Sequence, residues 1–468
     1  MINRINMKMI NKGLSILLGI IGMLLLHSSC SKYLDIQSND GLVVPKTLED
    51  LQKLLDNTLT MNRGIGSMGE ISADDYFLEQ SVLDMQTDMD RLNYTWRNNL
   101  YNFSNDWSAG YAPVYISNLV LERLAKIERT AANAADYDRI KGTALFAKSN
   151  QYLSLLWNYA KAFHSTTAAS DLGIVLRGSS DMNEKSKRSS VLACYEALQN
   201  DLRGASDLLP QKSAHVMRPS KATAYGLLAR AYLSMAKYDS AYHYADKMLQ
   251  IKNDLMDFND RAEVDLTGTN PFSRYNKEIV GYYEQTSNGT PLIRIAQMDT
   301  SLYDSFDAND LRKQVYFKSG VNGYQAFKGN YAVASSAWET VSPFGGIAVD
   351  EVYLIRAECL ARAGKLVEGQ ADLNKLLATR YKNGTFKPYQ LTVAADVLSL
   401  ILTERRKELI FRGLRWMDIK RLNLEGANIV QRRFLAGKEY RLEPNANRYA
   451  LPLPDDIIRL TGMEQNPL

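Results

Sequence analysis

Residues 64–69 (GIGSMG) could carry chemistry, because their spacing matches the GxGxxG pattern of dinucleotide-binding turns. In such a turn the glycines let the backbone approach a pyrophosphate, and the pattern requires a strand before them and a helix after them. The preceding letters, DNTLTMNR, have the pattern of a helix end, and the following EISADDYF has no helical periodicity. We therefore predict a flexible loop at residues 64–69 and no nucleotide site.

The histidines and acidic residues are not arranged for metal binding or catalysis. His164, His215 and His243 stand far apart, and none has a second histidine or a cysteine three or four residues away. This spacing predicts neither a zinc site nor a catalytic triad. Asp74 and Asp75 form a carboxylate pair, but adjacent acids on a turn more often cap a helix. We predict no cofactor, no metal and no enzymatic activity, although a glycosidase with two distant carboxylates stays an alternative, since their separation is a tertiary property.

Cys30 is the residue with a specific predicted modification. Three basic residues in positions 1–12 precede an uncharged stretch at 13–26, and small residues follow, which is typical of a secretory signal. The stretch is shorter than the roughly 20 residues of a membrane span. A cysteine at the cleavage point is similar to a bacterial lipoprotein signal, so we predict a signal peptide at residues 1–29 and acylation of Cys30. An ordinary signal peptide with an incidental cysteine is the alternative.

The composition describes a large, nearly neutral globular body after the signal. The whole chain has 56 Lys and Arg against 52 Asp and Glu, and the signal contributes three of the basic residues and no acid. This balance does not favour nucleic-acid binding. Tyrosine is frequent, with 27 residues against 13 Phe, and its polar-tipped ring suits polar ligands and wet interfaces. Cys194 and Cys359 lie in helical patterns, and the sequence leaves open whether they pair.

Most of the chain has the apolar spacing of three and four residues that indicates amphipathic helices. The predicted helices cover residues 47–58, 113–129, 137–164, 189–209, 220–236, 239–251, 349–363, 366–380, 393–412 and 415–423. Residues 62–112 and 264–346 are irregular and aromatic, with one predicted strand within 276–285. Such segments on a rigid helical scaffold are where binding residues usually lie.

Two helix pairs repeat the same pattern of small and aromatic residues. Residues 225–245 and 353–373 each place alanine, glycine or leucine at matched offsets on two consecutive helices, which lets the helices pack closely. The pattern resembles the tetratricopeptide unit of 34 residues. Residues 137–164 with 189–209 form a looser third pair. Stacked units of this kind make a scaffold rather than a catalytic centre.

Several blocks in a fixed order resemble the SusD/RagB family. The blocks are CSKYLDIQ, ISADDYF, the helix with Trp107 and Asn118, residues 218–249, residues 349–380, ERRKELIFRGLRWMDIKR, YALPLPDDI and QNPL. Arg412 departs from the family pattern, which usually has Glu there. Within the most specific block we expect Glu404, Arg406 and Arg415 to form ion pairs that lock the C-terminal helices.

The resemblance implies an all-α, tetratricopeptide-like helical-repeat scaffold with irregular ligand-facing loops. It divides the chain into the signal at 1–29, an N-terminal helical-repeat region at 30–263, a loop-rich insert at 264–346 and a C-terminal helical region at 347–468. It also implies a nutrient-binding lipoprotein that is anchored in the outer membrane and faces the cell surface. Such a protein captures an oligosaccharide, or a peptide, for a SusC-like TonB-dependent transporter.

Two aromatic clusters occupy the positions from which the family draws ligand contacts. In residues 93–103 (NYTWRNNLYNF) an indole offers a stacking face, and its neighbours offer hydrogen bonds; the later cluster lies in residues 331–338. The predicted ligand-binding residues are Trp96, Arg97, Asn98, Tyr101, Tyr331 and Trp338. Packing of these rings against the scaffold is the alternative.

Two alternative functions are a surface scaffold for another protein and a secreted carbohydrate-active enzyme. The sequence leaves open the ligand's identity, the need for the transporter and the oligomeric state.

Overall fold

The computed structural model describes residues 45–97, 104–331 and 342–467. Its helices are α1 (Leu48–Leu55), α2 (Thr58–Met61), α3 (Met68–Ser72), α4 (Gln80–Asp84), α5 (Asp88–Tyr94), α6 (Asp106–Leu124), α7 (Ala134–Tyr159), α8 (Val191–Leu208), α9 (Lys221–Ser234), α10 (Tyr238–Ile251), α11 (Thr290–Ile295), α12 (Thr300–Asp304), α13 (Arg312–Tyr316), α14 (Val349–Arg362), α15 (Leu366–Ala378), α16 (Ala394–Glu408), α17 (Arg415–Leu424) and α18 (Asp455–Thr461). Each of the ten helices predicted from periodicity is present, and the all-α prediction is confirmed.

Side-chain caps explain where several of these helices begin. Asn105 accepts from the backbone N–H of Ser108, and Ser108 Oγ accepts in return from Asn105 N–H, so a capping box starts α6. Ser220 and Thr223 form the same arrangement at α9. These reciprocal bonds satisfy N–H groups that a helix start otherwise leaves without partners.

The long helices pack in chain order, as stacked repeats do. Helix α7 packs on α6 and α8, α9 on α8 and α10, and α14 on α10, α15 and α16. A Cβ atom on Gly369 would lie 2.9 Å from the carbonyl oxygen of Ala357, so a glycine lets α15 approach α14. The close-packed repeat pairs predicted from sequence are therefore present. Cys194 and Cys359 lie buried in two of these helices, and both are free thiols.

Short antiparallel strand pairs connect the irregular segments. The strands are β1 (Tyr76–Phe77), β2 (Leu172–Val175), β3 (Arg188–Ser190), β4 (Ile279–Gly281), β5 (Gln297–Met298), β6 (Phe317–Ser319), β7 (Gln325–Phe327), β8 (Ile347–Ala348), β9 (Gln431–Leu435) and β10 (Lys438–Leu442). The pairs are β1 with β5, β2 with β3, β4 with β8, β6 with β7 and β9 with β10. Strand β4 confirms the strand predicted within residues 276–285.

Residues Thr47–Leu468 form one compact unit. Its largest hydrophobic cluster includes Trp107, Tyr283 and Trp416, one from each region of the predicted subdivision after the signal. The boundaries at 263 and 346 stay a prediction. In the described part of the chain, every helix is too short or too polar to cross a bilayer.

Candidate functional site

Four buried side chains, Tyr76, Tyr94, Trp96 and Arg433, form a group that we call the aromatic base. The guanidinium carbon of Arg433 lies 5.0 Å from the ring centre of Tyr76, 4.5 Å from that of Tyr94 and 5.0 Å from that of Trp96. Strand β1 points Tyr76 inward at 1 % exposure, and α5 supplies Tyr94. Burial raises the pKa of both tyrosines, so their rings stay neutral around the cation. Cation–π attraction therefore holds the four side chains of the aromatic base in fixed positions.

Trp96 belongs to this base rather than to the exposed surface. It is 8 % exposed, and its indole Nε1 donates to the Ser72 carbonyl oxygen at 3.0 Å. Its φ of 53° places it in the left-handed region, where the Trp96 N–H bonds Asn93 O and the Arg97 N–H bonds Leu92 O to close α5. In this conformation the ring offers little surface to a sugar. Ligand stacking by Trp96 stays a prediction that requires the ring to leave this position.

The first exposed surface beside the base is formed by Phe77, Glu79, Asn322 and Tyr324, and we call it the Phe77–Tyr324 surface. The two rings meet edge to face with their centres 4.9 Å apart. Asn322 Nδ2 donates to both carboxylate oxygens of Glu79, at 2.9 and 2.8 Å. Strand β1 pairs with β5, and Gln297 Oε1 of β5 accepts from Val321 N–H, so these two distant stretches of sequence come together. An aromatic ring beside an amide and a carboxylate is a combination that can stack on a sugar ring and bond its hydroxyl groups.

The second exposed surface, the Arg97–Tyr440 surface, consists of Arg97, Lys438 and Tyr440. The guanidinium carbon of Arg97 lies 5.5 Å from the ring centre of Tyr440, and Lys438 Nζ lies 4.7 Å from the same centre. Strand β10 carries Lys438 and Tyr440, and Tyr440 pairs across the hairpin with Arg433 of the aromatic base. The β9–β10 hairpin was not predicted from the sequence, and it places Lys438 and the half-buried Tyr440 beside Arg97.

Tyr331 lies in the interior, away from both surfaces. It is 8 % exposed and packs between Phe272 and Phe344, with ring centres 5.3 and 4.8 Å away. Arg412 Nη1 donates to its hydroxyl at 3.4 Å, and burial raises its pKa. Its predicted ligand role stays untested. Three of the six predicted ligand residues lie outside the described residues, namely Asn98, Tyr101 and Trp338. The predicted lipid-attachment residue Cys30 also lies outside them. Arg97 is the predicted ligand residue that the structure places on an exposed surface.

Asp74 and Asp75 bind arginines, so the prediction that they cap a helix was wrong. Asp74 accepts from Arg415 Nε at 2.7 Å and Nη2 at 2.9 Å, and Asp75 accepts from Arg406 Nε at 2.7 Å. Burial opposes the charge of Asp74, but the guanidinium groups of Arg415 and Arg406 hold the pKa of Asp74 below its usual range. Arg406 and Arg415 thus form the expected ion pairs, with partners at the N-terminal end of the unit.

Glu404 forms its ion pairs elsewhere, in a buried cluster with Arg312 and Lys407. Its carboxylate accepts from Arg312 Nη2 at 2.5 Å and from Lys407 Nζ at 2.7 Å. Arg312 also binds Asp310 and Glu408, so one guanidinium joins α13 to α16. This network is structural, as the sequence predicted.

The glycines at 64–69 form a closely packed segment, and the prediction of a flexible loop was wrong. Gly66 N–H donates to Ser154 Oγ and Met68 N–H to Asp106 Oδ2, both at 2.8 Å. A Cβ atom on Gly66 would lie 2.3 Å from Asn158 Nδ2. Helices α1 and α2 precede the segment, so the strand that a dinucleotide turn requires is not there. The glycines permit close packing and leave no space for a nucleotide.

Two further features limit the possible chemistry. Across residues 45–97, 104–331 and 342–467, no group of three His, Cys, Asp or Glu side chains could hold a metal ion.

A groove of about 530 Å³ lies between α6, residues 175–186 and α18, and it is lined by apolar groups such as Val114, Ile457 and Met463. A lining of this kind offers few hydrogen bonds to sugar hydroxyl groups.

Comparison with known proteins agrees with the fold over nearly the whole chain. A family model described as "Starch-binding associating with outer membrane" matches residues 32–233, and one described as "SusD family" matches residues 277–468. SusD-like protein P2 of Formosa agariphila is 25 % identical over an alignment 423 residues long, which covers 77 % of this chain and 79 % of that protein.

Solved structures share the same fold. A putative sugar binding protein from Bacteroides vulgatus has a TM-score of 0.73 at 19 % identity and covers 91 % of this chain and 99 % of its own. A SusD superfamily protein from Bacteroides thetaiotaomicron has a TM-score of 0.70 at 21 % identity, with 90 % and 100 % covered. The two family models and the curated relative identify the chain as a member of the SusD/RagB family, whose proteins associate with the outer membrane.

Proposed function

We propose that this protein is a nutrient-binding lipoprotein of the outer membrane that captures an oligosaccharide and delivers it to a SusC-like TonB-dependent transporter, without chemistry of its own. Membership of the SusD/RagB family supports this role, and two similar structures are named as sugar-binding or carbohydrate-binding proteins. Those names favour a glycan over a peptide as the ligand. Acylation of Cys30 would hold the protein on the membrane.

The observation that carries the proposal is the Phe77–Tyr324 surface on its fixed base. Tyr324 is 36 % exposed, so part of its ring is available for stacking, and Phe77 fixes its orientation. The Glu79 carboxylate and the Asn322 amide lie on the same surface, where each has hydrogen-bonding capacity left for sugar hydroxyl groups. A preformed site of this kind binds without first ordering its own side chains.

The test is binding of the full chain, kept in mild detergent, to a panel of polysaccharides and peptide digests. Gel retardation finds the ligand, and calorimetry measures its affinity. Tyr324→Ala should weaken binding about tenfold, the value expected for loss of about 1.4 kcal/mol of stacking. Unchanged affinity in Tyr324→Ala would show that this surface is not the binding site.

Tyr275→Ala is the matched control for this variant. Tyr275 is 43 % exposed and also packs edge to face, on Tyr282 with ring centres 5.2 Å apart. Its removal deletes the same kind of ring from a different aromatic pair, so the affinity should stay that of the unaltered chain. Equal losses in both variants would indicate a general effect on folding.

The transporter is tested separately from the ligand. If the protein works with a plugged outer-membrane barrel, the two should purify together from mild detergent through a tag on either one. A protein that binds glycans but repeatedly purifies without a barrel would limit the function to capture. Protein that purifies with other surface proteins and binds no glycan would favour the scaffold alternative, which the stacked repeats of α9–α10 and α14–α15 also fit.

A further inference from the structure

The Arg97–Tyr440 surface holds two positive charges against one aromatic ring. Arg97 and Lys438 are exposed, and Tyr440 is half-buried between them and the hairpin. Cation–π attraction stabilises each cation on the ring. Both positive charges are also exposed, so an anionic group of a ligand can reach them.

The acidic residues of the hairpin do not neutralise this pair. Glu439 lies 3.8 Å from Arg441 and also pairs with Arg432, and Glu443 accepts from Arg441 Nε at 2.8 Å. Within the three described ranges, neither Arg97 nor Lys438 lies within 4.0 Å of a carboxylate. The surface therefore has positive charge that the described residues leave uncompensated.

Arg433 of the aromatic base is a third positive charge, buried beneath the Arg97–Tyr440 surface. It is buried, and its guanidinium donates to the carbonyl oxygens of Ala73 and Tyr76. In the described part of the chain, no carboxylate lies within ion-pair distance of it. A buried cation is screened by water much less than an exposed one. Arg433 also helps to lower the pKa of Asp74, but that carboxylate is already paired with Arg415.

The ring of Tyr353 also carries two cations, and in that cluster their role is structural. Arg356 and Lys375 lie 5.6 and 4.9 Å from its ring centre. There, Asp246 and Asp372 bind Arg356 at 2.7 Å each. The counter-charge that completes the Tyr353 cluster is missing among the described residues around Tyr440.

We propose that the glycan captured by this protein is acidic, and that Arg97 and Lys438 bind its carboxylate or sulfate groups. This inference rests on the proposed function and adds the chemical class of the ligand. Glu79 would repel an anion at the Phe77–Tyr324 surface, so the acidic groups bind at the Arg97–Tyr440 surface. A guanidinium binds carboxylate and sulfate oxygens through paired N–H donors, and an ammonium adds a compact charge.

The experiment measures binding of the full chain in mild detergent to three polymers at several salt concentrations. Polygalacturonate carries carboxylates, dextran sulfate carries sulfates, and dextran is neutral. We expect at least one acidic polymer to bind more than tenfold tighter than dextran, with affinity falling as salt rises. The polymer that binds shows whether the groups are carboxylates or sulfates.

The double variant Arg97→Gln with Lys438→Gln tests the site itself. It should weaken binding of the acidic polymer at least tenfold and reduce the salt dependence. The control is Lys365→Gln, because Lys365 is exposed and lies 5.9 Å from the ring centre of Tyr242 as a single cation. This control should keep the affinity of the unaltered chain.

Each outcome decides the inference. If dextran or another neutral glycan binds as tightly as the acidic polymers, the acidic class is wrong while glycan capture stands. If the double variant binds the acidic polymer like the unaltered chain, Arg97 and Lys438 are not its binding site and the inference fails. If no glycan of the panel or of these polymers binds, the proposed function fails and the inference fails with it.

Discussion

Trp96 is buried in the aromatic base, and this position changes what its mutation should do. From sequence alone, Trp96→Ala is expected to weaken ligand binding with little loss of stability. Its burial and its bond to Ser72 O instead predict a loss of about 3 kcal/mol in the free energy of unfolding, the range for large aromatic truncations in a core. Urea denaturation followed by circular dichroism measures this change.

Tyr324→Ala is the comparison for that measurement, since it removes a partly exposed ring from the neighbouring surface. Its stability loss should be below about 1 kcal/mol. If Trp96→Ala is as stable as Tyr324→Ala and binds ligand more weakly, the ring leaves its buried position when the ligand binds.

Glu70 predicts a particular dependence of stability on pH. Burial, with a smaller contribution from Asp75, raises its pKa to about 8, and Oε1 has no hydrogen-bond partner among the described residues. Between about pH 4.5 and pH 8 the folded carboxyl is protonated while the unfolded one is ionised, so the folded state binds more protons. Stability therefore falls as pH rises through this window, by at most about 1.4 kcal/mol per pH unit.

Glu70→Gln removes this titration and should flatten the profile. The variant and the unaltered chain should have similar stability at pH 5, and the variant should be the more stable at pH 8. Thermal unfolding at several pH values measures the difference. Parallel profiles of the two proteins would show that Glu70 is ionised in the folded state.

At the same scale, the sequence indicated which side chains form ion pairs but not their partners. Glu404, Arg406 and Arg415 stand close together in one block, so pairing among the C-terminal helices was the simplest expectation. Asp75 lies 331 positions from Arg406, and such a distance in sequence carries no local signal. Arg412, which departs from the family pattern, binds Asp350 at 3.0 Å and belongs to the same kind of structural contact.

At the scale of elements, apolar spacing identified the long helices, although α9 and α14 are buried on nearly every side rather than along one stripe. The short helices α3, α4 and α5 and the β9–β10 hairpin were missed, since elements of five to seven residues hold too little of a period to recognise. The positions of the Phe77–Tyr324 surface and the Arg97–Tyr440 surface depend on these short elements. The sequence could therefore identify the scaffold and two aromatic stretches, but not which of their side chains are exposed.

The contact between the 74–75 turn and the C-terminal helices is a link between elements that can be measured. Asp74→Ala leaves Arg415 partly buried without its bidentate partner, which should cost about 3 kcal/mol of stability. In the double variant with Arg415→Ala the loss should be less than the sum of the two single losses, with a coupling energy of about 2 kcal/mol. Chemical denaturation of the four proteins gives this value.

The contribution of the Asp74–Arg415 ion pair to stability should also depend on pH. Because the pKa of Asp74 is held below its usual range in the folded chain, its contribution is complete above the unfolded pKa and is lost as pH falls toward the folded value. The difference between the unaltered chain and Asp74→Ala should shrink below about pH 4. Additive losses at neutral pH would contradict the link.

At the scale of the whole molecule, the largest hydrophobic cluster of the compact unit joins residues from Ile65 to Met463. Asn466 Nδ2 donates to Tyr159 O and Leu451 O, so the last described residues close on α7. The block QNPL was recognised in the sequence as a family feature, and the structure gives its physical role. Truncation of this end would expose the acceptors at the end of α7.

Membrane attachment is a property of the whole molecule, and the proposed acylation of Cys30 would supply it. Each buried CH₂ of an acyl chain contributes about 0.8 kcal/mol, so acylation of Cys30 would hold the entire body at the membrane. Cys30→Ser should move the protein from the outer-membrane fraction to the soluble exported fraction, and Ser31→Ala should leave it in place. Incorporation of labelled fatty acid into the unaltered chain, and not into Cys30→Ser, identifies the anchor. A Cys30→Ser protein that stays in the membrane fraction, with no label in the unaltered chain, would show that contact with a barrel, rather than lipid, holds it there.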